Sequence, residues 1–138
     1  MKKTVVITGA SSGIGYHAAK FFLDGGYTVY GLSRKAGDLA GVKYISADLT
    51  DEKSVISAFD KIRAETGAIH ILINNAGSGI SGAVEFTELS DAEYQMDINL
   101  FGMVRCIKCA LGIMRQSGGK IVNISSVAAV FPLPFQAF

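Results

Sequence analysis

Apolar residues in this chain gather in short runs, each closed by glycine, serine or an acidic residue and followed by a stretch with helical spacing. Val5-Val6-Ile7, all β-branched, reads as a buried strand. Past Thr8 and the glycines 9, 13 and 15, apolar and small residues recur every three or four positions. That spacing predicts a helix over 13–23, stopped at Gly25-Gly26. A second strand is expected over 27–32 and a third over 42–45. Thr50 is expected to cap the next helix. Asp51 and Glu52 would lie in its first turn, with Val55, Ile56, Phe59 and Ile62 on its inner face. The run 69–73 is almost wholly apolar and predicts a fourth, central strand. Ser90-Asp91-Ala92-Glu93 has capping-box spacing and predicts one long helix from Ser90 to about Gln116. Gly118-Gly119 then turns the chain into a fifth strand over 120–124.

Strands alternating with helices imply right-handed crossovers. The expected fold is therefore α/β, a doubly wound parallel sheet of about five strands in the order 3-2-1-4-5. Ligands of such sheets lie off the carboxyl ends of the strands, where the order reverses. The polar clusters of this sequence stand at those ends: Thr8 with the glycine loop, Ser33-Arg34, Asp48, Asn74 to Gly77, and Ser125-Ser126.

The stretch Thr8-Gly9-Ala10-Ser11-Ser12-Gly13-Ile14-Gly15 joins a strand to a helix. Backbone N–H groups and the positive end of the helix dipole converge there, which suits a phosphate. The same spacing also serves as plain punctuation between strand and helix.

Composition narrows the classes. With 138 residues the chain reads as one domain, long enough to bury a core. Hydrophobic residues make up 49 % of it and charged residues only 18 %, as expected of strands buried on both faces. A net charge of +1 argues against a nucleic-acid surface or a polybasic membrane patch, and no apolar run is long enough to span a membrane. Lys2-Lys3 before the first apolar run could open a secretory signal, but Gly9, Ser11, Ser12 and Gly13 cut that run short. A cytoplasmic location is expected, and the two cysteines, Cys106 and Cys109, fit a reducing compartment.

Five markers in order now bear on identity: residues 8–15, Asp48-Leu49, Asn74-Asn75-Ala76-Gly77, Ile98-Asn99-Leu100-Phe101-Gly102 and Ile121-Val122-Asn123-Ile124-Ser125-Ser126. With them the sequence resembles the short-chain dehydrogenase/reductase family along its whole length. The resemblance implies a Rossmann-type domain occupying 1–138, with the family's later strands missing. It also implies a nicotinamide dinucleotide as cofactor. Gly9, Ser11, Ser12, Gly13, Ile14 and Gly15 would wrap the diphosphate and adenine ribose. Asp48 would accept from the adenine amino group, the Leu49 N–H would help hold the ring, and Asn75, Ala76 and Gly77 would line the adenosine side. An acid at the end of the second strand would favour the ribose 2′-hydroxyl of NAD. Here Ser33 stands there, followed by Arg34 and Lys35, so NADP(H) is expected over NAD(H).

By the same resemblance the reaction passes hydride between the nicotinamide and an alcohol/ketone carbon. Ser126 would polarise the substrate oxygen and Asn99 would hold a water in the proton path. The family's tyrosine stands thirteen residues after that serine, with a lysine four residues later. From Ser126 that is position 139, and the sequence ends at Phe138. Tyr16 and Lys20 have the tyrosine–lysine spacing but read as a helix-face pair. Two classes stay open. One is an oxidoreductase of which this is an amino-terminal part, inactive alone and part of a homo-oligomer when whole. The other is a non-catalytic NADP(H)-binding module.

Three sharper readings carry less. Cys106 and Cys109 have Cys-x-x-Cys spacing but lie mid-helix without a second ligand pair, so buried thiols are expected and no metal site. His17 and His70 lack partners for a metal or a triad, although His70 stands where the family usually has an acid. No Gly-x-Ser-x-Gly elbow surrounds Ser126, which argues against a hydrolase. An open edge at the fifth strand is expected too. So is partial exposure of Met96, Leu100, Met103, Val104, Ile107, Leu111 and Met114 on the long helix.

Overall fold

The structure, a computed structural model, describes residues 2–136 and 138. Strand β1 (Thr4–Thr8) is buried at every position and lies mid-sheet. On one side it pairs in parallel with β2 (Thr28–Ser33), which pairs with β3 (Lys43–Ser46). On the other it pairs with β4 (Ile71–Asn74), which carries β5 (Lys120–Asn123). The order is β3-β2-β1-β4-β5 and all pairings are parallel, as the strand–helix alternation predicts.

Helix α1 (Gly13–Asp24) covers one face of the sheet, packing with Val5, Ile7 and Val29. Helices α2 (Glu52–Glu65) and α4 (Gly102–Ser117) cover the other, where Val6, Tyr30, Leu32 and Leu72 meet Val55, Phe59, Ile62, Cys106 and Ala110. Between β4 and α4 run a single 3₁₀ turn (Val84–Phe86), helix α3 (Leu89–Met96) and a π-helical turn (Asp97–Phe101).

Several local expectations need correction. Asp51, not Thr50, caps α2: its carboxylate accepts from the Lys53 N–H at 2.9 Å. Thr50 instead donates its N–H and hydroxyl to Asp48 Oδ1, at 3.0 and 2.7 Å. Ile56 is 45 % exposed, and Ala58 takes the buried place in the stripe with Val55, Phe59 and Ile62. The expected long helix is really α3, the π turn and α4. It begins at Leu89, with Glu88 at the cap position making no side-chain cap bond, so Ser90 lies inside the first turn. Lys20 pairs with Asp24 at 3.0 Å on α1, while Tyr16 stacks edge-on against His17.

His70 has a structural task. Its Nδ1 accepts from the Thr4 N–H at 3.0 Å, while the backbone N–H of His70 donates to the Thr4 carbonyl at 2.9 Å. The imidazole thereby ties β1 to β4 at their amino-terminal ends, opposite the loop at 74–77. Cys106 is buried, which pushes its thiol up to about 12, and both thiols are free. Desolvation also raises Cys109, so neither is a ready nucleophile.

The outer part of the fold is open. Met96, Leu100, Val104 and Leu111 are exposed and Met103 and Ile107 half-buried, as expected; Met114, by contrast, is buried. Strand β5 forms the sheet edge and is exposed at all four positions. Among the described residues no helix is long and apolar enough to cross a membrane.

Candidate functional site

Beyond the carboxyl ends of β1, β2 and β4 lies a cleft of about 810 Å³. The end of β1 forms its floor. Buried Thr8 uses one oxygen to accept from two backbone donors, the Asn75 and Ala76 N–H groups, each at 3.0 Å. Asn75 returns the contact: its Nδ2 donates to the carbonyls of Thr8 at 3.1 Å and Gly9 at 3.3 Å. Two strand ends are thus stitched into one surface by short side chains. A hydroxyl accepts two donors here because its second lone pair would otherwise go unused.

The glycine loop needs its glycines for two distinct reasons. Gly9 and Gly13 have φ of +67° and +54°, a region that costs other residues strain. A side chain on Gly15 would run into the Gly9 carbonyl and the Asn75 amide, so α1 can approach β1 only with glycine there. At Gly13, a Cβ would meet nothing within 4 Å. The amino terminus of α1 therefore faces open space. Ser12, at its cap position, makes no side-chain cap bond and no acid stands in the first turn. Unclaimed N–H groups, a positive dipole end and room beside Gly13 make a fitting seat for an anionic group such as a diphosphate.

A second wall comes from β2 and β3. Ser33, Arg34 and Lys35 line it, with Ala47, Asp48 and Leu49 beyond. Ser33 Oγ donates to the Lys35 carbonyl at 2.6 Å, fixing the bend that presents Arg34. Hydrogen bonds from Thr50 hold the Asp48 carboxyl below its ordinary value, and the Arg34 charge adds to the effect. Asp48 is thus an anion with a free oxygen, suited to accept from an amino group. Arg105 fixes the Leu49 side of the wall. One guanidinium nitrogen donates to the Leu49 carbonyl at 2.9 Å and the other pairs with Asp97 at 2.8 Å. Gly102 lets α4 come close there, since a Cβ would lie 3.0 Å from that of Leu49.

The π turn shapes the third side. Asn99 and Ser78 exchange two hydrogen bonds of 2.8 Å: Ser78 N–H to Oδ1, and Nδ2 to the Ser78 carbonyl. Buried Gln95 accepts from the Ile80 N–H at 2.7 Å. Together they pin the segment that follows β4. π turns recur at functional sites because the inserted residue re-aims a side chain.

Of the residues singled out from sequence, Gly9, Ser11, Ser12, Ile14, Ser33, Arg34, Asp48, Leu49, Asn75, Ala76 and Gly77 line this one cleft. Gly13 and Gly15 shape the loop without lining it. Asn99 stands behind Gly77, whose Cβ would lie 3.0 Å from Asn99 Oδ1. Ser126 does not line the cleft. Its Oγ accepts from the Ala128 N–H at 3.1 Å, capping the 3₁₀ turn Val127–Ala129. Sequence reasoning missed Leu32, Lys35, Ala47 and Ile98 as lining residues, though each directly adjoins one that was named. Among the described residues no group of histidine, cysteine or acidic side chains could hold a metal.

The sequence model of the short chain dehydrogenase family matches residues 3–138. The chain belongs to this family. It is 43 % identical over 136 residues to the 3-ketodihydrosphingosine reductase of Bacteroides thetaiotaomicron, an alignment covering 97 % of this chain and 51 % of that protein. Among solved structures, the ligand-free aldohexose dehydrogenase of Thermoplasma acidophilum superposes with a TM-score of 0.95 at 36 % identity, covering 99 % of this chain and 54 % of that one. ElxO with NADP bound superposes with a TM-score of 0.90 at 34 % identity, covering 99 % and 60 %. The chain spans about half the length of the curated relatives it matches.

Proposed function

We propose that this chain is the cofactor-holding part of an oxidoreductase that works on an alcohol/ketone pair with NADP(H) in preference to NAD(H). One observation carries the reading: the uncapped amino terminus of α1 and the Arg34 guanidinium face the same cleft. In this reading the loop 9–15 receives the diphosphate, with Gly13 giving the clearance. Asp48 accepts from the adenine amino group, and Asn75, Ala76 and Gly77 form the floor beneath the riboses. Ser33 and Arg34 receive the 2′-phosphate. No acid stands at that strand end to repel it, and a guanidinium can grip phosphate through two parallel bonds. The NADP-bound structural relative supports the same choice.

The cofactor, when bound, supplies or accepts the hydride. The chain's own part is to bind and orient. Ser126 polarises the substrate oxygen, and Asn99 fixes position 78 beside the cleft while keeping one N–H and one lone pair free for a water. The family resemblance calls for a tyrosine and lysine that these 138 residues do not supply after Ser126. A positioned proton donor is worth about 10²–10⁴ in rate, so binding without turnover is expected of this chain alone. Assembly through the exposed apolar face of α4 and a cytoplasmic setting for its free thiols go with this reading.

The test is a titration of the chain with NADPH and with NADH, followed by nicotinamide fluorescence. NADPH should bind about tenfold tighter or better, and Arg34→Asp should erase the difference. Equal affinities unmoved by Arg34→Asp would overturn the cofactor preference, and binding of neither would overturn the reading as a whole. Carbonyl reduction by this chain at ordinary enzyme rates would overturn the expected inactivity.

A further inference from the structure

Arg34 is an exposed side chain with a hydrogen-bond partner on a distant element. Its Nη1 donates to the phenol oxygen of Tyr94 at 3.1 Å, a contact between residues sixty positions apart. Tyr94 lies on α3, four residues before Ile98, which lines the cleft. The bond links Arg34, which lines the cleft wall built by β2, to the helix that precedes the π turn; Tyr94 itself stands outside the lining.

Two consequences follow from the chemistry of the pair. A free arginine gives up much rotamer freedom when it closes on a ligand, whereas one already held gives up less. The phenol oxygen accepts from Arg34, and among the described residues its own proton goes to no acceptor. That proton is left to donate to an anionic oxygen placed beside the guanidinium.

We propose that Tyr94 is a specificity-determining residue for the 2′-phosphate: it holds Arg34 in the phosphate-gripping pose and donates its hydroxyl proton to the same phosphate. The inference rests on the NADP(H) reading above and deepens it by adding a second wall to the phosphate seat.

Adenosine 2′,5′-bisphosphate and adenosine 5′-monophosphate serve as probes, because they differ only in the 2′-phosphate and need no nicotinamide pocket. Their affinities would be measured by calorimetry for the 138-residue chain, Tyr94→Phe, Arg34→Met and the double variant, each with its melting temperature. The wild type should prefer the bisphosphate by about tenfold or more. Tyr94→Phe should cut that ratio by roughly three- to tenfold while leaving the monophosphate affinity and the melting temperature unchanged. The double variant should lose little more than Arg34→Met alone, since coupled residues are not additive.

An unchanged ratio in Tyr94→Phe, with Arg34→Met still abolishing preference, would overturn the inference and leave the NADP(H) reading standing. Loss of affinity for both probes together would mark Tyr94 as structural and overturn it as well. A wild-type chain that does not distinguish the probes, or binds neither, would overturn both readings.

Discussion

β1 and β5 are both parallel strands with apolar, β-branched residues, yet they live in different surroundings. Val5, Val6 and Ile7 are fully buried, while Ile121 and Val122 are 36 % and 41 % exposed. β1 has a strand on each side, with α1 on one face and α2 and α4 on the other. β5 has one neighbour and no described layer over it. Strand sequence therefore reports what a strand is built to meet, while burial reports what meets it. The glycine-loop side of the cleft hangs from the well-covered strand, and Ser126 follows the uncovered one.

The comparison is broken most directly by matched truncations. Val6→Ala should cost roughly 2–3 kcal/mol of unfolding free energy, since it removes fully buried methyls and leaves a cavity. Val122→Ala should cost less than about 1 kcal/mol. Equal losses in denaturant titrations would mean that β5 is as well packed as β1.

Next in size is the stitch at the end of β1. Thr8→Val keeps the shape but removes the oxygen that accepts from Asn75 and Ala76, leaving two N–H groups unpaired. A loss of roughly 1–3 kcal/mol is expected, with faster amide exchange at both positions. Unchanged exchange there would show that the two strand ends hold together without the threonine.

The smallest effect concerns Asp48, whose carboxyl is held below its ordinary value by Thr50 and Arg34. A lowered carboxylate contributes stability that is present above the unfolded-state value near 4 and is lost as pH falls through the folded-state value. Asp48→Asn should therefore change stability little, because the group is largely exposed, and should flatten the acid limb only below about pH 4. A difference between wild type and variant that grows between pH 8 and 5 would contradict this account.

How far the molecule was legible in its sequence differs between the same two regions. The strands announce themselves because β-branched runs are bounded by glycine and polar residues, and crossover handedness then fixes their order. The cleft is legible because its wall residues sit directly at strand ends, where backbone direction alone aims them. The cap of α2 falls one residue later than expected because Thr50 and Asp51 are adjacent cap-forming residues and Asp is the stronger of the two. What decided it was the partner that Thr50 found in Asp48. Ile56 misled because it borders the buried stripe. The π turn at 97–101 has no compositional signature, for an i to i+5 bond asks nothing special of the side chains involved. The Arg34–Tyr94 contact was invisible for another reason: no local pattern links a strand end to a helix sixty residues away.

A sheet whose first strand lies in its middle has a direction of growth. In chain order β2 and β3 extend one flank of β1, and β4 and β5 the other. The glycine loop at 9–15 precedes all but one of the strands, and the floor beside it is tied to β1 by residues 75 and 76. Every residue that lines the cleft precedes β5 in the chain, so the cleft is written into the sequence ahead of the sheet's exposed edge strand.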